Sequence, residues 1–158
     1  MWRSSNKSKL VIFAYHRDVL EALAEKLGTD NSVLFYGGMT PTEKDNAVKQ
    51  FIENDKIKFF LGNSLSAGTG VDGLNKVTST AVMVETLYSH AEWEQAKGRV
   101  RRKNSTFDAY FCYNLIVPNT LDEKILKVLD RKAKETSEVL LGKQMSKDEL
   151  LSELIMKG

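Results

Sequence analysis

Residues 94–106, EQAKGRVRRKNST, carry five basic side chains and one glutamine, whereas the formal net charge of the whole chain is only +2. In a helix, at about 100° per residue, this spacing produces one polar and one apolar stripe. The polar stripe comprises Gln95, Gly98, Arg99 and Arg102. The apolar stripe, which would pack on a sheet, comprises Trp93, Ala96 and Val100. Arginine forms forked hydrogen bonds with phosphate oxygens, so the segment predicts a phosphate-binding helix. The alternative is a solvated basic surface.

A second segment, NSLSAGTGVDGL at residues 63–74, also has features suited to phosphate. Its glycines allow tight turns that present backbone N–H groups to an anion; they are Gly68, Gly70 and Gly73. The hydroxyls of Ser64 and Ser66 suit phosphodiester oxygens, and Asp72 offers an acceptor for a sugar hydroxyl. A simple turn is the alternative interpretation of this segment.

The sequence lacks the motifs that hold ATP and Mg²⁺ directly. It contains no G-x-x-x-x-G-K-[ST] motif and no strand that ends in an acidic pair. It also has one cysteine, Cys112, and two histidines, too few to suggest a metal cluster. We therefore expect no metal site and no cofactor held by this chain alone.

The length and composition fit one soluble domain. The chain has 158 residues, of which 42% are hydrophobic and 28% charged. It contains no apolar run long enough to span a bilayer, and its N-terminus, MWRSSNKSKL, lacks the core of a signal peptide. We expect no membrane partner, and a location in the cytoplasm, the nucleoid or nucleus, or the cytosol of an infected host cell.

Short apolar runs alternate with helical patterns, which predicts an α/β fold with a mostly parallel sheet. The predicted strands are 10–15, 33–36, 57–62, 80–85 and 108–117. A helix is predicted at 17–27, where Gly28 would end it. Four further helix starts have a hydroxyl residue followed three positions later by Glu: Thr40/Glu43, Ser89/Glu92, Thr120/Glu123 and Ser146/Glu149.

In open parallel sheets, ligands bind at the carboxyl ends of the strands. Here those ends are rich in glycine, hydroxyl and polar residues: YHRD, YGGMT, GNSLSAGTGVDG and ETLYSH. We therefore predict one working edge of the sheet. We divide the chain into a domain at 1–140 and a C-terminal helical appendage at 141–158.

These segments, in this order, resemble the second RecA-like lobe of superfamily 2 helicases, above all the SWI/SNF-type DNA translocases. The resemblance covers about residues 9–140. Its main motifs are SLSAGTGVDGL, similar to the family's motif V, and YSHAEWEQAKGRVRR, similar to motif VI. Glu85 stands where the family usually has Asp. The resemblance implies a three-layer RecA-like domain with helices on both faces of the sheet.

The resemblance also implies roles at an ATP site shared between two lobes. Arg102 would be the arginine finger, Arg99 its partner on the phosphates, and Gln95 an organiser of the cleft. Asp72 would face the ribose, and Gly70 would shape the loop between the two ligand sites. ATP and Mg²⁺ would be bound only when an N-terminal RecA-like lobe, on a missing segment or a separate chain, is joined.

For nucleic acid, the resemblance implies a row of contact residues along the strand ends: His16, Arg17, Gly38, Ser64 and Ser66. The expected partner is DNA, with the duplex favoured, although the sequence does not distinguish DNA from RNA.

Two alternatives stay open at this stage. One is a stand-alone nucleic-acid-binding module without ATP hydrolysis. The other is an unrelated phosphosugar or nucleotide enzyme on a doubly wound sheet. The second needs a catalytic acid or base, and no candidate has a partner by sequence spacing; the candidates are Asp72, Glu85, His16 and His90.

Overall fold

Five parallel strands form one sheet in the computed structural model, which describes residues 9–64, 66, 71–85, 90–100 (the backbone alone at 90–93), 106–120, 122–125, 127–128 and 131. The sheet order is β2-β3-β1-β4-β5. The strands are β1 (Leu10–Ala14), β2 (Ser32–Phe35), β3 (Phe59–Asn63), β4 (Thr80–Met83) and β5 (Phe111–Asn114). Each strand overlaps its predicted segment, and all four pairings are parallel as predicted.

Helices cover both faces of this sheet. They are α1 (Arg17–Leu27), α2 (Pro41–Glu53) and α3 (His90–Lys97), with short 3₁₀ turns at Thr29–Asn31 and Leu74–Lys76. Helix α1 has the predicted bounds, and it ends where Gly28 adopts φ 99° and its N–H bonds the Ala24 carbonyl oxygen at 3.0 Å. The capping box predicted at Thr40 and Glu43 is present at the start of α2.

Two hydrophobic clusters hold the layers together because successive side chains of a strand point to opposite faces. On one face, Ile12 of β1 packs with Leu20 and Ala24 of α1. On the other face, Phe13 belongs to a larger cluster with Phe51 of α2. That cluster also includes Phe60, Leu74, Ala81, Ala96 and Val100. The predicted three-layer arrangement is therefore confirmed.

Strand β5 is shorter and more exposed than the predicted strand 108–117. Only four residues pair with β4. Phe111 and Tyr113 are 51% and 54% exposed, whereas the partly buried Cys112 packs against the larger cluster. Burial raises the pKa of the Cys112 thiol.

Helix α3 ends at Lys97, whereas the polar stripe predicted from Gln95 to Arg102 requires a longer helix. The Gly98 N–H bonds the Glu94 carbonyl, four residues back, but the N–H groups of Arg99 and Val100 bond carbonyls only three residues back. This is 3₁₀ geometry, about 120° per residue, so a projection at 100° does not hold beyond Gly98. Ala96 and Val100 are nevertheless buried, as the apolar stripe predicted. Arg102 and the side chain of Trp93 lie outside the described residues, as do the segment 141–158 and the helix starts predicted at Ser89 and Ser146.

Within the described residues, no helix has the length and apolar character needed to cross a membrane.

Candidate functional site

The carboxyl ends of β1 and β4 form the point where the chain changes direction in the sheet. Helix α1 leads from β1 toward β2 on one face, and α3 leads from β4 toward β5 on the other. Adjacent parallel strands whose connections depart in opposite directions leave a crevice between their carboxyl ends. We take this edge as the candidate functional site.

A carboxylate connects the two strands at this point. Glu85, just after β4, accepts hydrogen bonds through Oε2 from the backbone N–H groups of Tyr15 (2.8 Å) and His16 (2.9 Å). Its Oε1 lies 2.6 Å from Nδ1 of His16. Burial opposes the charge on Glu85, but the hydrogen bonds from His16 and Tyr15 outweigh it and hold the pKa of the carboxyl below its ordinary value. His16 precedes the first residue of α1, so the carboxylate also lies at the positive end of the helix dipole.

Asn63, the last residue of β3, contacts the Tyr15–His16 backbone from the side opposite to Glu85. Its Nδ2 donates to the carbonyl oxygen of Tyr15, and its Oδ1 accepts from the N–H of Ser66 at 3.1 Å. Ser66 is half-buried and close to the loop after β2, since a Cβ built on Gly37 would lie 3.1 Å from Ser66 Oγ. The structure thus brings Ser66 next to the loop that contains Gly38.

Ser64 lies beneath this surface. It is 3% exposed, and its N–H bonds the Ala14 carbonyl at 2.9 Å. Its hydroxyl is buried and has no hydrogen-bond partner among the described residues. In this arrangement, Ser66 is accessible to a ligand and Ser64 is not.

Arg17 lies at the outer margin of the site. Its Nε donates to Glu21 at 2.7 Å, and its guanidinium lies 4.3 Å from the centre of the Tyr36 ring. The hydrogen bond with Glu21 raises the pKa of the Arg17 guanidinium, which stays cationic. The side chains of Arg17 and His16 are more than half exposed, so both are accessible from solvent.

The arginine segment follows α3, which begins five residues after Glu85. Arg99 is half-buried, and its Nη1 donates to the carbonyl oxygen of Val71, within the glycine-containing segment, at 3.3 Å. Gln95 is exposed on α3. Asp72 is exposed as well, and its Oδ1 accepts from the Gly73 N–H at 2.9 Å. Asp72 lines a surface groove of about 350 Å³ beside α2. Gly70 and Arg102 lie outside the described residues.

Sequence spacing did not reveal the roles of Glu85, Asn63 and Tyr36. Sequence spacing offered no partner for Glu85 or His16, and the fold joins the two although 69 positions separate them. One feature of the sequence could have pointed to Asn63 and Glu85. Both are polar residues at the point where a buried strand ends. The described residues contain no group of three or more potential metal ligands.

Comparisons with known proteins identify the family. Residues 1–104 match the model of the helicase conserved C-terminal domain, and the chain belongs to that family. The chain is 25% identical over 155 residues to the ATP-dependent helicase fft1 of Schizosaccharomyces pombe, which covers 97% of this chain and 16% of that protein. It is also 25% identical over 146 residues to the DNA annealing helicase and endonuclease ZRANB3 of Mus musculus, covering 91% of this chain and 13% of that protein.

Solved structures share the fold. The C-terminal part of the Fun30 ATPase domain matches with a TM-score of 0.68 at 19% identity, over 77% of this chain and 39% of that one. The SWI2/SNF2 ATPase core domain of Sulfolobus solfataricus matches with a TM-score of 0.61 at 22% identity, over 80% of this chain and 25% of that one. The predicted resemblance to the C-terminal lobe of SWI/SNF-type helicases is confirmed. The chain spans less than a fifth of the length of both curated relatives.

Proposed function

We propose that the chain acts as the second lobe of an ATP-dependent DNA translocase of the SWI/SNF type. The observation that carries this proposal is the contact between Arg99 and the Val71 carbonyl. It attaches the arginine segment to the glycine-containing segment, so the two segments that were predicted to bind phosphate lie on one side of the domain. A first lobe that docks on this side would complete a triphosphate site.

In this proposal the chain contributes positive charge to the site, and the partner lobe binds the nucleotide. Arg102 is the arginine finger, which stabilises the negative charge that builds up on the transferred phosphoryl group. Arg99 supports it on the phosphates, and Gln95 orders the cleft. Asp72 binds the ribose, and Gly70 shapes the loop. ATP and Mg²⁺ supply the phosphoryl chemistry when the two lobes are joined.

The nucleic-acid partner in this proposal is duplex DNA, which would lie along the loops after β1, β2 and β3. The exposed side chains of His16 and Arg17 and the half-buried Ser66 support a phosphate-contacting surface there. Gly38 would shape this surface from the loop after β2. Ser64, which is buried, would support the surface from beneath. We expect the protein in the compartment that holds its DNA.

Hydrolysis by the isolated and joined lobes tests the proposal. Alone, the chain should hydrolyse essentially no ATP; joined to its first lobe, it should show DNA-stimulated hydrolysis. Arg102→Ala should lower the stimulated rate by about 10³-fold or more, since an arginine finger is worth that much. Lys26→Ala is the matched control, because this exposed cation lies in the last turn of α1, at the opposite end from His16. Near wild-type turnover in Arg102→Ala would refute the finger assignment.

Affinity for DNA measured against salt tests the alternative of a stand-alone binding module. Duplex and single-stranded DNA are titrated with the isolated chain at increasing ionic strength. Our proposal expects weak binding, because half of the binding surface belongs to the other lobe. Tight binding with a steep salt dependence would favour the stand-alone module.

A further inference from the structure

We propose that Asn63 and Glu85 are positioning residues that link the nucleic-acid side of the strand-end edge to its nucleotide side through one shared stretch of backbone, Tyr15–His16. We call the five residues Ser66, Asn63, Tyr15, His16 and Glu85 the strand-end bridge. The hydrogen bonds of the bridge are independent of the proposed function, but its effect on hydrolysis rests on that function.

The bridge begins where the regular ladder of the sheet ends. The last backbone bonds between the three central strands join Ser64 to Ala14 and Val84 to Phe13, both at 2.9 Å. Beyond them β1 turns into α1, so the ends of β3 and β4 no longer have a strand between them to pair with. Side chains take over this role: Asn63 from β3 and Glu85 from β4.

Both side chains hold the same peptide unit from opposite sides. Asn63 donates to the carbonyl oxygen of Tyr15, and Glu85 accepts from the N–H groups of Tyr15 and His16. The outer atom of each side chain makes a second contact: Asn63 Oδ1 with the Ser66 N–H, and Glu85 Oε1 with the His16 ring. An unbroken series of hydrogen bonds therefore runs from Ser66 to Glu85 across β1.

The bonds to Glu85 carry most of the rigidity of the bridge. Three contacts of 2.6–2.9 Å converge on one ionised carboxylate, and charged hydrogen bonds are shorter and stronger than neutral ones. The lowered pKa of Glu85 agrees with this, since the folded protein favours the charged form. An isosteric amide at position 85 would keep the size of the side chain but lose the charge.

One end of the bridge lies on the proposed nucleic-acid side, because it includes Ser66. The other end is Glu85, after which the chain continues to α3, the helix that precedes Arg99. If DNA displaces Ser66, the displacement therefore acts through Asn63 on the Tyr15–His16 backbone. Glu85, which precedes α3 and the arginine segment, is bonded to the same backbone. Such a link appears as a coupling free energy between two sites, which mutation of the link reduces.

Hydrogen exchange in the isolated chain tests whether the bridge exists. In Glu85→Gln, the exchange rates of the Tyr15 and His16 amides measured by NMR should rise about tenfold or more, and the Ser66 amide resonance should shift. In Asn63→Ala, the Ser66 amide should lose protection. Glu21→Gln is the control, because this residue pairs with Arg17 on α1 and is outside the bridge. An unchanged Ser66 resonance in Glu85→Gln would overturn the bridge. If that variant fails to fold, unchanged protection of the Ser66 amide in Asn63→Ala would overturn it instead.

Hydrolysis by the joined lobes tests the coupling. In Glu85→Gln, the ratio of DNA-stimulated to basal ATP hydrolysis should fall about tenfold, while the KM for ATP stays within about twofold; Glu85→Asp should restore part of the ratio. A role confined to stability would leave the ratio unchanged, and that result would overturn the coupling. If the wild type shows no DNA stimulation, the proposed function fails and the coupling with it, whereas the exchange result for the bridge stands by itself.

Discussion

Arg99 Nη1 donates a hydrogen bond to the carbonyl oxygen of Val71 at 3.3 Å, so the turn after α3 is fixed to the second half of the glycine-containing segment. Because Val71 and Val100 are both buried in the larger hydrophobic cluster, this bond lies over packed residues rather than in open solvent. Arg99 therefore has a structural contact in addition to its proposed role on phosphate.

Replacement of Arg99 by Ala should lower the free energy of unfolding of the isolated chain by about 1 kcal/mol, the usual contribution of one partly buried hydrogen bond. The midpoint of urea unfolding measures the effect. Lys49→Ala is the control, because its exposed ion pair with Glu53 at 4.0 Å should contribute less than about 0.5 kcal/mol. Equal stability of the two variants would contradict the contact with Val71.

Lys9 is a buried ammonium group at the opposite edge of the sheet. It is 6% exposed, and its Nζ donates to the carbonyl oxygens of Phe51, Ile52 and Asn54 at the C-terminus of α2. Lys9→Met should cost about 1–3 kcal/mol, since the carbonyls lose a buried donor. Chemical denaturation measures this loss, and the exposed Lys26→Met should change stability by no more than about 0.5 kcal/mol.

The same lysine predicts a dependence of stability on pH. Burial lowers the pKa of the Lys9 ammonium in the folded state, although Asp55 opposes this shift. Between the lowered pKa and the ordinary value of about 10.4, the unfolded chain binds one more proton, so stability should increase as pH rises. The difference between wild type and Lys9→Met, followed by urea unfolding over this range, isolates the effect. A difference that stays flat or decreases would contradict the lowered pKa.

The start of α2 depends on reciprocal hydrogen bonds. Thr40 Oγ1 accepts from the Glu43 N–H at 3.3 Å, and Glu43 Oε2 accepts from the Thr40 N–H at 2.7 Å. Thr40→Ala should destabilise the domain by about 0.5–2 kcal/mol, and the melting temperature should fall by about 2–4 °C per kcal/mol. Thr42→Ala, an exposed position in the first turn, serves as control and should have little effect.

Gly38 has a positive φ of 91°, and a Cβ built on it would meet no atom of the described residues within 4 Å. The free-energy cost of a side chain at this position therefore comes from backbone strain at positive φ and not from a clash. Gly38→Ala should therefore lower the free energy of unfolding by about 1–2 kcal/mol, and Gly38→Asn by less, because Asn tolerates the left-handed region better. Equilibrium unfolding of both variants checks the order, and an Asn variant less stable than the Ala variant would contradict it.

The fold was largely predictable because its signals are local. Periodicity located all five strands, and the bounds of α1 followed from its apolar spacing and Gly28. The capping box at Thr40 depends on residues three positions apart, which a sequence pattern detects. The early end of α3 was missed because a 3₁₀ turn leaves no distinct pattern in residue types.

The candidate site was less predictable because its contacts are long-range. The loops after the strands were identified correctly as the polar edge, yet the pairing of Glu85 with His16 depends on β1 and β4 being neighbours in the sheet. The burial of Ser64 likewise depends on the bond of its N–H to Ala14. Residue types alone do not specify which of two nearby serines faces solvent.

The sheet order has a consequence for how the chain is made. Within the described residues, neither β1 nor β2 has a hydrogen-bonded neighbouring strand that precedes β3 in the sequence, since both pair with residues 59–63. A ribosome must therefore extend the nascent polypeptide past Asn63 before either of these two ladders can close, and until then β1 and β2 remain without this strand partner. Synthesis of residues 10–63 is thus the stage at which chaperone binding and aggregation compete for this lobe.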